Sequence, residues 1–313
     1  MPRALICGSL AYDNTMVFPD RFKRHILPDR IHILNVSFLV PELRREFGGC
    51  AGNIAYNLKL LGGEALIMAT VGDDFAPYRQ RLEALGLALT HVRQVPGTFT
   101  AQAFITTDLD DNQITAFHPG AMNCSQQNRV EHAENIQLGL VGPDGRAGML
   151  QHARDFAAQN IPFIFDPGQG LPLFDGEELL QFLGLADYAC FNDYEVQLTV
   201  ERSGKSIEML ARQVRALVVT RGALGSRIYL PGRMLEIPCA QTSAVIDPTG
   251  CGDAYRAGLL YGIMNQFDWE KTGRLASLMG AIKVESQGAQ NHRPTRAEIC
   301  ARYQQSFGAA LAL

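Results

Sequence analysis

Short, almost wholly apolar runs alternate along this chain with stretches whose apolar positions recur every three or four residues. ALICGSL (4–10), ALIMATVG (65–72), IQLGLVG (136–142), PFIFDPG (162–168), YACFN (188–192) and ALVVT (216–220) have the pattern of strands covered by helices on both faces. Between them lie helical patterns. GNIAYNLKLL (52–61) places Ile54, Leu58 and Leu61 on one face and stops at Gly62-Gly63. This alternation predicts an α/β fold: a doubly wound, mostly parallel sheet flanked by helices.

Two segments depart from it. TAQAFITTD (100–108) and NQITAFHPG (112–120), joined through Leu109-Asp110-Asp111, read as an antiparallel hairpin, and residues 14–46 carry apolar and basic residues without a helical stripe. Together they predict a small β lid, formed by 14–46 and 97–120 and inserted into one domain spanning 1–313. A second hairpin, RIYLPGRMLEIP (227–238), turns at Pro231-Gly232. No repeat or long linker suggests a division into independent domains.

Composition narrows the partners. A formal net charge of -4 with 19% charged residues gives no basic excess for nucleic acid, and no apolar stretch approaches the roughly 20 residues of a membrane span. The chain opens on a strand pattern instead of a signal peptide, so the expected location is the cytoplasm and the expected partners are small molecules. Seven cysteines, scattered and never in a CxxC pair, support neither a disulfide framework nor a zinc site.

The candidate chemistry centres on DPTGCGDA, Asp247 to Ala254. Gly250, Cys251 and Gly252 leave little bulk over backbone N–H groups at what reads as a helix start, where the helix dipole favours an anion. Asp253 beside a bound phosphate would repel it unless the carboxylate takes a proton from an attacking hydroxyl, which points to phosphoryl transfer. A plain strand-to-helix turn is the bland alternative. FGGCAGN (47–53) offers close backbone approach and the amide of Asn53, or a flexible turn with a helix cap. TRGALG (220–225) follows a strand and is able to cradle phosphate oxygens through N–H groups and the Thr220 hydroxyl. NDYE (192–195) has capping-box spacing, with Asn192 as N-cap, and equally places Glu195 to hold waters around magnesium.

Other signatures fail. Gly204-Lys205-Ser206 resembles the end of a Walker A loop, but Thr199 stands where its first glycine belongs. The first strand leads into GSLAYDN, not GxGxxG, which disfavours a dehydrogenase. The histidines show no metal-binding spacing.

GGCAGN, NDYE, TRGALG and DPTGCGDAYRAG, in this order, resemble the phosphofructokinase-B or ribokinase family of carbohydrate and nucleoside kinases over essentially the whole chain. AYDN (11–14), LVPELRREFGGCAGN and AFHPGAM (116–122) are most similar to prokaryotic nucleoside kinases of the adenosine/inosine type. The resemblance implies ATP-dependent phosphorylation of a nucleoside 5′-hydroxyl, with Asp253 as general base and the backbone of Gly250, Cys251 and Gly252 as anion hole. It implies that Asp13, Gly49 and Asn53 hold acceptor hydroxyls, while Gln102, Phe104 and Met122 frame the rest of the acceptor. Asn192, Thr220, Gly222 and Gly225 would bind the nucleotide and Glu195 would hold Mg2+ through water. ATP and Mg2+ are the expected cofactors, with a monovalent cation near Asp247 as a further expectation and a homodimer through the lid as the expected assembly. The chain departs from the family at DPTGCGD, where a second threonine and an alanine are common: Cys251 is small enough to keep the anion hole, whereas Pro248 removes one backbone donor next to the cation position. A sugar kinase of the ribokinase or fructokinase type and a catalytically silent nucleoside-binding sensor are the alternatives.

Overall fold

The computed structural model describes residues 3–26, 28–33 and 35–313; residues 27 and 34 of the 14–46 segment lie outside it. The apolar runs form the strands of the main sheet: β1 (Arg3–Cys7), β4 (Glu64–Val71), β8 (Ile136–Val141), β9 (Phe163–Phe165), β10 (Tyr188–Asn192) and β11 (Ala216–Thr220). The second predicted hairpin supplies β12 (Ser226–Leu230) and β13 (Arg233–Ile237), and Ala88–Gln94 adds β5 at the other edge. The order is β13-β12-β11-β10-β9-β8-β1-β4-β5, parallel from β11 to β5 and antiparallel across β11, β12 and β13. The mostly parallel, doubly wound sheet is therefore present as expected.

Alternation within the strands builds two cores. In β1, Ala4 and Ile6 join one apolar cluster while Leu5 and Cys7 join the other. The first cluster takes in α1 (Cys50–Leu60), α7 (Cys251–Met264) and α8 (Trp269–Val284); the second takes in α3 (Arg146–Ala158), α4 (Gly176–Leu185) and α5 (Asp193–Ser203). Two shorter helices, α2 (Ala76–Ala84) and α6 (Ile207–Ala211), and the C-terminal α9 (Arg296–Phe307) complete the helical layers. Burial on both faces is why those strands read as continuous apolar runs.

A second sheet has the order β3-β2-β6-β7, from β2 (Ala11–Val17), β3 (Glu42–Gly48), β6 (Ala101–Thr107) and β7 (Gln113–His118). The chain leaves β1 into β2 and returns through β3 into α1, so this sheet joins the main one at the carboxyl ends of its strands. Strand β2 takes in Ala11 to Asp13 and β3 takes in Phe47 and Gly48, so the second sheet begins before residue 14 and ends after residue 46. The reversal of strand order lies at β1, whose neighbours are β4 and β8, and the crevice outside such a point is the usual ligand position in open α/β sheets.

Candidate active site

Two helix N-termini meet near this crevice. Helix α1 begins after Gly49, whose φ of 85° and whose missing Cβ, which would stand 2.6 Å from Ala11 N and Ser9 O, make glycine a steric requirement. Ser9 satisfies the helix start: its carbonyl accepts from Ala51 N at 3.0 Å and its hydroxyl from Cys50 N at 3.3 Å. Helix α7 begins after Gly250, at φ 79°, where a Cβ would press on Ala289 at 2.8 Å. Cys251 N donates to Pro248 O at 3.1 Å in a tight turn. Among the described residues, the N–H groups of Gly250, Gly252 and Asp253 have no hydrogen-bond partner. Of the three residues expected to form an anion hole, Cys251 is thus the one whose amide is already engaged.

One turn into each helix the side chains face each other. Asn53 Nδ2 donates to Asp253 Oδ2 at 2.8 Å. The orientation of that amide is fixed from behind, because Gln290 Nε2 donates to Asn53 Oδ1 at 2.9 Å and to Tyr78 OH at 2.6 Å, and Tyr78 OH donates to Gly48 O at 2.8 Å. Desolvation is the largest influence on the Asp253 carboxyl and pushes its pKa up to about 7; the nearby charges of Asp166 and Asp13 act in the same direction, and the Asn53 bond and Arg256 oppose them. Asp13, on β2, is likewise raised to about 6 by burial first and then by Asp247 and Glu46. Position 253 thus holds a carboxyl that titrates near neutrality.

Arg256 lies three residues beyond Asp253, on the same helix, and is buried. It forms a bidentate pair with Asp166, Nε to Oδ2 at 2.9 Å and Nη2 to Oδ1 at 2.8 Å, and stands 4.0 Å from Glu195. This network joins the acceptor side to NDYE. There the capping box is complete: Asn192 Oδ1 accepts from Glu195 N and Glu195 Oε2 from Asn192 N, both at 2.7 Å. Asn192 is the register partner of Thr220, so the two sit side by side at the ends of β10 and β11, and Gly222–Leu224 forms a 3-10 turn immediately after. Gly225 closes that turn, its N–H donating to Gly222 O at 3.1 Å. Asn192, Glu195, Thr220, Gly222 and Gly225 are therefore brought together, and Arg256 connects them with Asp253.

The second sheet divides the remaining candidates. Glu46, Asp13, Ala103 and Phe117 share one register row, whereas Phe47, Tyr12, Gln102 and His118 share the next, and Arg45, Asn14, Phe104 and Ala116 the one after. Because side chains alternate between faces, Gln102 and Phe104 point to the face opposite Asp13. Gln102 is occupied there, accepting from Asn14 Nδ2 at 3.3 Å and donating to Asp74 Oδ2 at 3.0 Å. The grouping of Gln102 and Phe104 with Asp13 is thus corrected: Ala103 and Phe117 are the residues beside it. Met122 lies in the 3-10 stretch Gly120–Gln127, whose Ala121 O accepts from Thr70 Oγ1 near the end of β4, so it sits at the carboxyl edge of the main sheet. Of the aromatic residues in these segments, Phe38 packs on Phe18 and Phe22, and Phe47 on Tyr12 and Tyr78.

Asp166, Arg256 and Gln290 escaped the sequence reading. Asp166 directly follows a buried strand and precedes Pro-Gly, and Arg256 falls one helical turn from Asp253; both are usable signals. Gln290 pairs with a residue 237 positions away and leaves no local trace.

Comparison with known proteins agrees with this fold. The model of the pfkB family carbohydrate kinases matches residues 10–296. A nucleoside kinase of Methanocaldococcus jannaschii is 32% identical over 272 residues, covering 86% of this chain and 89% of that protein. The structure of a Burkholderia thailandensis nucleoside kinase in complex with inosine superposes with a TM-score of 0.90 at 55% identity, covering 98% of this chain and 99% of that one. The same protein in complex with ADP-inosine gives 0.88 at 56% identity, covering 98% and 97%. The chain belongs to the pfkB family of carbohydrate kinases.

Proposed function

We propose that this protein is an ATP-dependent nucleoside kinase that transfers the γ-phosphoryl group to the 5′-hydroxyl of a purine nucleoside. The observation that carries the reading is Asp253: a carboxyl of pKa about 7, aimed by Asn53, one turn into a helix at whose start the N–H groups of Gly250 and Gly252 lie free. Nucleoside kinase relatives, one of them in complex with inosine, support the acceptor class.

The 5′-hydroxyl donates to Asp253, which takes its proton as the oxygen attacks the γ-phosphorus in line and the bond to the β-phosphate oxygen breaks. The N–H groups at Gly250 and Gly252 stabilise the equatorial oxygens, joined by Cys251 N once its turn bond to Pro248 opens. Asp13 and Asn53 hold the ribose diol against the backbone of Gly49, and Phe117, with Met122 at the edge of the main sheet, supplies apolar surface for the base. The nucleotide phosphates lie along Thr220 to Gly225 beside Asn192.

Magnesium is the ion expected to enter with ATP. Glu195 fits a role through water: each of its oxygens accepts one hydrogen bond from Asn192 and keeps a lone pair. When bound, the ion neutralises charge developing on the phosphates. The second sheet, with the 97–120 segment, acts as a lid that closes on the acceptor and excludes water.

Steady-state kinetics with adenosine, inosine, guanosine, cytidine, ribose and fructose test the acceptor. The highest kcat/KM is expected for a purine nucleoside. A maximum with ribose or fructose replaces the reading with a sugar kinase, and no turnover with any, alongside retained nucleoside binding, replaces it with a sensor.

A further inference from the structure

The loop that leads into α7 is tied to the end of α8 and the segment after it. Ile246 N and Asp247 N donate to Val284 O at 2.8 and 3.1 Å, and Asp247 Oδ2 accepts from Gly288 N at 2.8 Å. At the centre of this junction is Lys283, fully buried at 0% exposure, a state lysine almost never adopts without a dedicated set of partners. Its Nζ donates to Asp247 O at 2.7 Å and Ser286 O at 2.9 Å, one carbonyl from each side of the junction, and the Asp247 carboxylate supplies the countercharge. Two converging carbonyls beside a carboxylate are also the donors a desolvated monovalent cation requires. A cation near Asp247, expected from the family resemblance, does not fit here because an ammonium already holds these oxygens.

We propose that Lys283 is a tethered monovalent cation: its ammonium fixes the 247–250 loop against 284–289, so that the start of α7 is pre-formed and phosphoryl transfer needs no free potassium or ammonium. Lys283 touches neither ATP nor acceptor and is a positioning residue. It acts through Asp247 O, three residues before Gly250, and through the Ser286 carbonyl, three residues before the Ala289 against which Gly250 packs. The inference rests on the kinase reading for its activity readout but not for its stability readout.

The test uses the full chain at constant ionic strength in potassium, ammonium, sodium or choline chloride. For the wild type, kcat is expected to vary less than about twofold among the salts, and the melting temperature not to respond specifically to potassium or ammonium. Lys283→Met is expected to lose kcat by about tenfold or more, since misplacement of a transition-state group by an ångström costs on that scale. Potassium or ammonium should then restore part of the rate and raise the melting temperature of the variant, effects that a merely structural lysine would not show. Lys283→Gln, which keeps a donor without the charge, serves in the same way if the Met variant does not fold. Strong activation of the wild type by potassium overturns the proposal, as does a folded variant that no small cation rescues. If no acceptor is turned over at all, the melting-temperature response alone decides it.

Discussion

Asp253→Asn separates chemistry from stability with opposite signs. Asn keeps the size of Asp and still accepts from Asn53, but it cannot take a proton, so turnover should fall by about 10²- to 10⁴-fold while ATP and acceptor binding persist. Stability should move the other way. In the folded state burial lifts the carboxyl from its ordinary 3.8 to about 7, so the native protein binds this proton more tightly than the unfolded chain does. Wild-type stability therefore falls as pH rises from about 4 to about 7 and levels off above, by at most about 4 kcal/mol at 1.36 kcal/mol per pKa unit. The Asn variant carries no such charge. Urea unfolding of both proteins should show a stability advantage for Asp253→Asn that grows by about 2 kcal/mol between pH 5.5 and pH 8.5. Near wild-type turnover would remove Asp253 from the mechanism, and a stability difference independent of pH would refute the raised pKa.

Three further outcomes follow from the same contacts. Asn53→Ala removes the hydrogen bond that favours the charged carboxylate, so the acid limb of the kcat/KM profile, expected near pH 7 in the wild type, should shift to higher pH while KM for the acceptor rises; an unmoved limb contradicts the contact's role. Glu195→Gln preserves an oxygen for the capping box but weakens any hold on hydrated magnesium, so the variant should need more magnesium for half-maximal rate; identical titrations would leave Glu195 with capping alone. Hydrogen exchange should slow in β2, β3, β6 and β7 when a nucleoside is added, and protection elsewhere with none in these strands would remove the lid from the account.

The main sheet was legible because its strands are buried on both faces and leave long apolar runs. The edge strand β5 was not: ALTHVRQ is neither a continuous apolar run nor an alternating one, and all its positions are at least partly exposed, so it resembles a loop. Strand β2 was hidden for a related reason, since AYDNTMV carries Asp13 and Asn14 into a sheet whose faces are both polar in places. The order of the motifs indicated which segments converge, but not how their side chains divide between faces. That is how Gln102 and Phe104 were grouped with Asp13 when a one-residue alternation gives that face to Ala103 and Phe117. The neutral-range pKa of Asp253 comes first from burial, with Asp166 adding to it and Arg256 opposing it; those two residues pair across 90 positions, and local spacing carries no sign of either the burial or the pair.

The most direct test of phosphoryl transfer to a nucleoside is 31P NMR of a reaction containing this protein, inosine, ATP and magnesium. The account predicts ADP together with a phosphomonoester whose phosphorus couples to the two 5′-methylene protons. ADP with free phosphate alone, or a phosphomonoester on a secondary hydroxyl, would contradict it.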